Sequence, residues 1–244
     1  MRRLSREDLQ RLRHRHQGYI ITLVVEAVLL LSLPLAQRWG WLLSLLLVAL
    51  AGVLLGCLSR YSALRRTRPL VYGLGALAII LELLWHGLGL LNPTLARPLT
   101  LPHVIAWLGF LAIVLLRKVR TLMREPYVTL PVVLGAAAGY LLVGIAGGLL
   151  LTALWVFNPS AFNPAALPIP TAESAGGLLQ LGNLFISPAL MASAINLLTT
   201  VGSPVLNPRD ISAQVCTAVI TVTGQLYVAI LIALILGRFQ QRLR

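Results

Sequence analysis

Six long apolar runs, separated by short polar segments, constrain the fold of this chain more than any other feature of its sequence. A helix needs about 20 residues to cross about 30 Å of hydrocarbon, because each residue adds about 1.5 Å. Each run reaches or nearly reaches that length. The runs cover residues 18–36, 41–58, 70–91, 103–119, 129–157 and 211–237. The sequence therefore predicts an all-α integral membrane protein with six transmembrane helices.

The composition agrees with this class. Of the 244 residues, 58% are hydrophobic and 11% are charged, and a soluble domain of this size cannot bury so much apolar surface. The net charge of +13 would suggest a nucleic-acid partner in a soluble protein. Here the basic residues lie at the ends of apolar runs, so we expect a lipid bilayer and no nucleic acid. Cys57 and Cys216 each lie inside an apolar run, which predicts neither a disulfide framework nor a metal site.

Lys and Arg fall mostly on one side of the predicted membrane. Seventeen of the twenty lie in the N-terminal segment, the second loop, the segment after the fourth run and the C-terminus. The other three are Arg38, Arg97 and Arg209. Because cytoplasmic loops concentrate basic residues, we expect both termini in the cytoplasm and the protein in the plasma membrane of a prokaryote. Residues 1–17 are either a solvated lead-in or a helix on an anionic membrane surface.

The connection between the fifth and sixth runs differs from the others because it contains a short apolar helix of its own. "SPALMASAINLL" begins with Ser187 as a candidate N-cap and Pro188 at the first helical position, and it is too short to span. The polar and irregular stretch "NLLTTVGSPVLNP" ends this connection. Irregular backbone at membrane depth is tolerated only inside protein or beside a watery cavity. The sequence therefore predicts a re-entrant helix followed by a loop that lines water.

This loop resembles the signature TTVGYGDxxP of tetrameric potassium channels. Residues 199–202, "TTVG", match it position by position, and Pro208 corresponds to the proline that often opens the last helix. The sixth run, "TVTGQLYVAILIALILGRF", is similar to the inner helix of bacterial channels in this superfamily, which often reads GQLYLAxLxAxLxG. The resemblance covers roughly residues 129–237, and the first four runs agree with it only as an arrangement of spans.

The resemblance implies a homotetrameric cation channel that conducts K+, Na+ or both and needs no cofactor or further metal. It divides the chain into a cytoplasmic basic segment (1–17), a four-helix sensor-like domain (18–125), a pore domain (126–237) and a cytoplasmic tail (238–244). It also assigns an ion-conduction filter, with backbone carbonyls along the path and the Thr200 hydroxyl as the innermost ring of ligands. The implied filter residues are Thr199, Thr200, Val201, Gly202 and Ser203.

The filter departs from the family pattern at two positions. Ser203 stands at the tyrosine, and Pro204 stands at the second glycine, where a φ fixed near −65° restricts the backbone. Weakly selective relatives, such as cyclic-nucleotide-gated channels, depart at the same positions. We therefore expect a pore that discriminates weakly between cations.

Small and polar residues mark the last two predicted helices. The glycines of "GAAAGYLLVGIAGG" predict close packing against the sixth helix or a neighbouring subunit. Gly224 is either a gating hinge, as in the superfamily, or a small residue that permits close packing. Thr217, Thr221 and Gln225 follow i, i+4, i+8 spacing, so they form a polar face that we expect to line a cavity or to meet another helix.

Two acidic residues lie within apolar runs and are candidate functional sites, because buried acids are costly in a membrane. They are Glu26 and Glu82, and His86 lies one helical turn after Glu82. Glu82 and His86 could pair as a proton relay or pH sensor, or form a structural contact between helices. The fourth run has basic residues only at its cytoplasmic end, so we expect no strong voltage gating.

Other functional classes fit less well. A channel-derived subunit that does not conduct, with an assembly or regulatory role in a larger membrane complex, would need the module's shape but no open filter. A transporter would predict paired discontinuous helices, whereas the sequence has one interrupted segment. No GxSxG, HExxH or Walker motif is present, so we expect no enzymatic activity.

Overall fold

The computed structural model describes residues 6–61, 68–91, 93–124, 129–167 and 182–243. These residues form helices and no strand, with one isolated antiparallel bridge between Phe162 and Leu206. The helices are α1 (Arg6–Leu31), α2 (Leu33–Arg38), α3 (Gly40–Tyr61), α4 (Arg68–Leu91), α5 (Pro93–Arg124), α6 (Leu130–Phe157), α7 (Gly182–Leu198) and α8 (Ile211–Leu243), with 3-10 turns at Pro159–Ala161 and Pro164–Ala166. Residues 1–5 of the predicted basic segment and 168–181 of the predicted external loop lie outside the described residues.

Five of the described helices are long and apolar enough to cross a membrane. Their apolar windows are Gly40–Cys57, Pro69–Leu88, Pro98–Met123, Leu130–Phe157 and Ile211–Leu234. Each window has 18 or more residues, so as a helix it is nearly as long as the hydrocarbon core is thick, or longer. The all-α prediction is confirmed, and the five long apolar helices, which correspond to the second to sixth predicted runs, indicate a membrane protein.

The first predicted run, 18–36, is divided between two helices. The apolar part of α1 is His16–Leu31, and the chain turns at Ser32 before the six-residue helix α2. Pro34 explains the break, because it has no N–H for the carbonyl four residues earlier and its ring restricts the residue before it. The Ser32 hydroxyl donates to the Leu29 carbonyl at 2.8 Å and satisfies one acceptor at the helix end.

Helix α6 lies at the centre of the packing and contacts α1, α5, α7 and α8. Helices α3 and α4 pack against one another, and α4 packs against α5. Trp107, Phe110 and Leu50 are fully buried in the core between these helices. In a bilayer such packing acts mainly through van der Waals contact, because lipid tails are as apolar as the side chains they replace.

The glycines of α6 allow this close packing. A Cβ on Gly139 would lie 1.9 Å from the Tyr227 hydroxyl of α8, and a Cβ on Gly148 would lie 2.8 Å from the Met191 Cα of α7. Gly135 similarly faces Tyr19 of α1. The predicted packing against the last helix is confirmed, and the same glycines also accommodate α7 and α1.

Two predicted boundaries are wrong. Helix α5 (Pro93–Arg124) extends beyond the predicted run 103–119 at both ends, and Arg117 and Lys118, near the end of that run, are buried. Helix α7 begins at Gly182, five residues before the predicted N-cap Ser187, and Pro188 lies inside it. Both errors arise because tertiary packing extends a helix beyond a local signal that normally ends or starts one.

Candidate functional site

Helix α7 runs antiparallel beside α6 and ends near the middle of it. Met191 lies against Gly148, and Ile195 lies against Gly144. The hydroxyl of Tyr140 donates to the carbonyl of Leu198, the last residue of α7, at 2.9 Å. Tyr140 is the eleventh residue of α6, so the end of α7 lies about 15 Å along that helix.

The end of α7 is also near the middle of α8. The Thr221 hydroxyl donates to the Leu197 carbonyl at 3.2 Å, and Thr221 is the eleventh residue of α8. A Cβ on Gly224 would lie 2.5 Å from Leu198 Cδ1 and 3.3 Å from the Leu198 carbonyl oxygen. Gly224 therefore permits close packing in this structure, and its role as a gating hinge stays a prediction.

After α7 the chain returns to the level of the α6 C-terminus. The Asn163 N–H donates to the Val205 carbonyl at 2.7 Å, and the Asn207 N–H donates to the Ala161 carbonyl at 2.8 Å. Phe162 and Leu206 form the antiparallel bridge between these segments. The segment that starts at Thr199 thus forms the inner end of a loop whose later part is fixed beside α6.

The backbone at this inner end has an unusual conformation. Thr200 has a φ of 63°, and Gly202 has a φ of 86°. Glycine adopts this left-handed region readily, whereas a β-branched residue such as threonine rarely does so. Val201, between them, is 77% exposed. A strained conformation held by surrounding contacts is a reason to look for function at this position.

The carbonyls divide into two groups at the end of α7. The last four carbonyls of a helix lack partners within it. Here those of residues 195–198 all accept hydrogen bonds, from the Thr199, Thr200 and Val201 backbones or from side-chain hydroxyls. In contrast, no described residue donates a hydrogen bond to the carbonyls of residues 199–203, and Thr199–Gly202 are exposed. This segment, Thr199–Ser203, is called the free-carbonyl segment below.

The predicted polar face of α8 is divided in the structure. Thr217 and Thr221 are half-buried, and Thr221 bonds to α7 as described. Gln225 is exposed, and no described residue forms a hydrogen bond with its side chain. An amide near the middle of an apolar helix needs such a partner, so Gln225 faces something other than lipid when the protein is in a membrane.

Glu82 lies at the centre of a buried hydrogen-bond cluster formed by α3, α4 and α5. The Ser44 hydroxyl donates to Glu82 Oε1 at 2.6 Å, and Trp107 Nε1 donates to Glu82 Oε2 at 3.0 Å. His103 Nε2 lies 2.6 Å from the same Oε2. His86 does not meet Glu82 directly, and its Nδ1 lies 3.3 Å from the shared Ser44 Oγ. The predicted Glu82–His86 contact therefore passes through Ser44.

A small cavity of about 20 Å³ lies beside this cluster and reaches helices α6 and α7. Its wall includes Ser44, Glu82 and His103 together with Thr152 of α6 and Ser187 of α7. His103 is buried and stacks on Trp85 with ring centroids 5.2 Å apart. Its Nδ1 has no hydrogen-bond partner among the described residues. The volume is about that needed for one water molecule.

Glu26 is fully buried in α1 and faces Lys118 of α5. Lys118 Nζ lies 3.6 Å from Glu26 Oε1 and 3.5 Å from the Thr22 hydroxyl. Removing one partner of a buried ion pair leaves an uncompensated charge, which is strongly destabilising. This geometry gives Glu26 a structural partner that links α1 to α5.

Asp210 precedes α8 and caps its N-terminus. Its Oδ1 accepts hydrogen bonds from the Ser212 hydroxyl and from the backbone N–H groups of Ser212 and Ala213, the latter two at 2.9 and 3.1 Å. Asn158 Nδ2 lies 3.2 Å from its Oδ2. The Ser212 hydroxyl, followed by the Ala213 N–H, holds the pKa of Asp210 below its ordinary value, because these bonds favour the ionised carboxylate. Asp210 therefore fixes the start of α8 to the end of α6.

Sequence reasoning missed four residues that organise these sites. Ser44, His103 and Trp107 complete the Glu82 cluster, and Tyr140 holds the end of α7. A signal for His103 was present, since a histidine within an apolar run is as unusual as the glutamates that were singled out. Ser44 and Tyr140 carry no such signal, because both residue types are common in transmembrane helices.

Comparison of the chain with protein-family models, with curated proteins and with solved structures found no match.

Proposed function

We propose that this protein is the pore-forming subunit of a potassium-channel-like cation channel, which assembles as a homotetramer around the free-carbonyl segment. The observation that carries the proposal is this row of unpartnered carbonyls, midway along two apolar helices. Unpaired backbone acceptors are costly in hydrocarbon, so they need water, a cation or another chain. One chain supplies one row, and four rows around an axis replace the hydration shell of a monovalent cation.

The orientation of α7 supports the same proposal. The C-terminal end of a helix carries a partial negative charge, which favours a cation nearby. Helix α7 ends directly before Thr199, so its dipole points toward the proposed path. With both termini in the cytoplasm, as the basic loops predict, α7 enters the membrane from the external side. The loop that follows α7 returns to the same side.

The exposed surface of α8 supports assembly from several copies. Helix α8 packs against α6 and α7, and only 17% of its apolar window is buried within one chain. The exposed side of the helix includes Gln225 as well as apolar side chains. In the proposed tetramer, Gln225 faces either the water-filled cavity or a neighbouring subunit, and Thr217 lies on the same polar face.

The extent of the row supports weak selectivity. The Val205 carbonyl already accepts a hydrogen bond from Asn163, and the Val205 and Leu206 side chains are buried. The row of free carbonyls therefore ends before Val205. Ser203 also lacks the aromatic ring of the tyrosine that stands at this position in the family pattern. We infer weak discrimination between K+ and Na+. We also infer no steep voltage dependence, because α5 has no arginine repeated through its span.

A second candidate is a non-conducting, channel-derived subunit with an assembly or regulatory role. The observation that favours it is the same early departure of the chain at Val205, which leaves a short row of carbonyls. This candidate predicts a tetramer with the same shape but without ion flux.

Flux measurements on purified protein in liposomes separate the two candidates. We expect wild-type tetramers to pass both K+ and Na+ down an imposed gradient. Gly202→Ala reduces the flux about tenfold, because a left-handed backbone costs an L-residue about 1–2 kcal/mol and the carbonyls shift to relieve it. Gly52→Ala is the matched control, since Gly52 lies in α3 with open space around it. Tetramers that pass neither cation would exclude the channel and favour the non-conducting subunit.

A further inference from the structure

The end of α7 is held by two hydroxyl groups that come from outside the loop. Tyr140 of α6 donates to the Leu198 carbonyl at 2.9 Å, and Thr221 of α8 donates to the Leu197 carbonyl at 3.2 Å. Leu197 and Leu198 are themselves buried. These are the last two carbonyls before the free-carbonyl segment, so the two hydroxyls act where its position is determined.

The surroundings of Tyr140 make this contact rigid. The Tyr227 ring lies beside it with ring centroids 6.4 Å apart, and the Tyr227 hydroxyl donates to the Ala136 carbonyl, one turn earlier in α6, at 2.9 Å. Gly224 brings α8 into direct contact with Leu198. Helices α6 and α8 therefore clamp the final turn of α7 from two sides.

The clamp also separates the two groups of carbonyls. Without Tyr140 and Thr221, the Leu198 carbonyl would have no donor among the described residues, and the Leu197 carbonyl would keep only the Thr200 N–H, at 3.0 Å. Carbonyls released from the clamp are free to turn toward a cation or water, which moves Thr199 and Thr200 with them. The conformation of Thr200, with φ at 63°, follows directly after this fixed point.

We propose that Tyr140 and Thr221 are positioning residues for the cation path, a role that rests on the proposed channel function. They set the level and direction at which the free-carbonyl segment leaves α7, and they act through the Leu197 and Leu198 carbonyls without touching the cation.

The test uses substitutions that remove or keep one side-chain hydroxyl group in the whole protein. Tyr140→Phe and Thr221→Val each remove one donor, and Thr221→Ser retains the hydroxyl. The matched control is Thr152→Val, which removes a bond within α6 from Thr152 to Gly148 at 2.9 Å. The probe is KCl, titrated against N-methylglucamine chloride at constant ionic strength.

The readout is the melting temperature of the detergent-solubilised tetramer as a function of K+ concentration, since an ion bound by the folded state stabilises it. We expect the K+ concentration for half-maximal stabilisation to rise about two- to tenfold in Tyr140→Phe and Thr221→Val, the range that one lost hydrogen bond of ordinary strength allows. Thr221→Ser and Thr152→Val keep the wild-type K+ dependence, even where they lower the melting temperature.

The outcomes separate this role from the channel function. If wild type is stabilised by K+ and the Tyr140→Phe and Thr221→Val variants respond as wild type does, the positioning role is wrong and the channel proposal stands. If wild type has no K+ dependence and no flux, both are wrong. If Tyr140→Phe fails to form tetramers, the comparison of Thr221→Val with Thr221→Ser decides the question.

Discussion

Gly148 shows how a single residue determines the approach of two helices. A Cβ at this position would lie 2.8 Å from the Met191 Cα, which is backbone and cannot rotate away. Gly52 in α3 has no atom within 4 Å of the same hypothetical Cβ. The two glycines therefore have the same helical setting but opposite steric environments.

Substitution of Gly148 by Ala should move α7 away from α6. We expect Gly148→Ala to lower the free energy of unfolding by about 1–3 kcal/mol, the usual cost of overpacking. Gly52→Ala should leave it unchanged or raise it by about 0.5–1 kcal/mol through the better helix propensity of alanine. Denaturant titration of both variants in mixed micelles measures the difference. Equal stabilities would contradict the close contact between α6 and α7.

Asp210 gives the protein an acid-dependent contribution to stability. Because its folded-state pKa is lowered from the ordinary value of 3.8, the ionised carboxylate stabilises the fold at neutral pH. This contribution is lost as the pH falls below about 4 through the folded-state pKa. Asp210→Asn should therefore be less stable than wild type at neutral pH, and the difference should shrink toward about pH 2. Melting temperatures across this range test it, and a difference independent of pH would contradict the cap.

At the scale of helices, the Glu82 cluster connects α3, α4 and α5 through one carboxylate. The Ser44 hydroxyl and Trp107 Nε1 donate to its two oxygens, His103 Nε2 lies 2.6 Å from one of them, and the cavity beside it reaches α6 and α7. Buried polar groups with satisfied partners fix the register of neighbouring helices, since a shift by one residue leaves several groups unpaired. The cluster therefore determines how α3, α4 and α5 pack against one another.

Glu82→Gln should weaken this connection. A glutamine has a single acceptor oxygen, so its amide would direct N–H groups at the Ser44 hydroxyl or at Trp107 Nε1, which are themselves donors. We expect the free energy of unfolding to fall by about 1–3 kcal/mol. Thr121→Val on α5 is the control, because its hydroxyl bonds only to the Arg117 carbonyl of the same helix. Intrinsic tryptophan fluorescence during denaturant unfolding gives the midpoint, and an unaltered midpoint in Glu82→Gln would exclude a stabilising cluster.

The sequence predicted the helices better than their ends or their contacts. Hydrophobic length alone located the five helices that are long and apolar enough to span a membrane, because the bilayer imposes that length on any helix crossing it. Pro34 could have indicated the break at Ser32, whereas the buried ion pair of Lys118 depends on Glu26 in a distant helix. The pairing of Glu82 with His103 likewise depends on the angle between α4 and α5, which no local pattern contains.

At the scale of the whole molecule, the proposed channel depends on how several copies of the chain assemble. A single chain leaves Thr199–Gly202 and Gln225 exposed, and it buries only 17% of the apolar window Ile211–Leu234 of α8. The sequence identified residues 199–203 through resemblance, and the structure adds that their carbonyls have no partner among the described residues. The resemblance could not give the clamp by Tyr140 and Thr221, since it arises from three helices that meet in space.

The most direct test is a cryo-electron microscopy reconstruction of the protein in lipid nanodiscs with K+ as the cation. The account predicts four copies around one axis, with the Thr200, Val201 and Gly202 carbonyls facing that axis and density for K+ between them. A monomer would contradict it, and so would an assembly in which these carbonyls face lipid or protein.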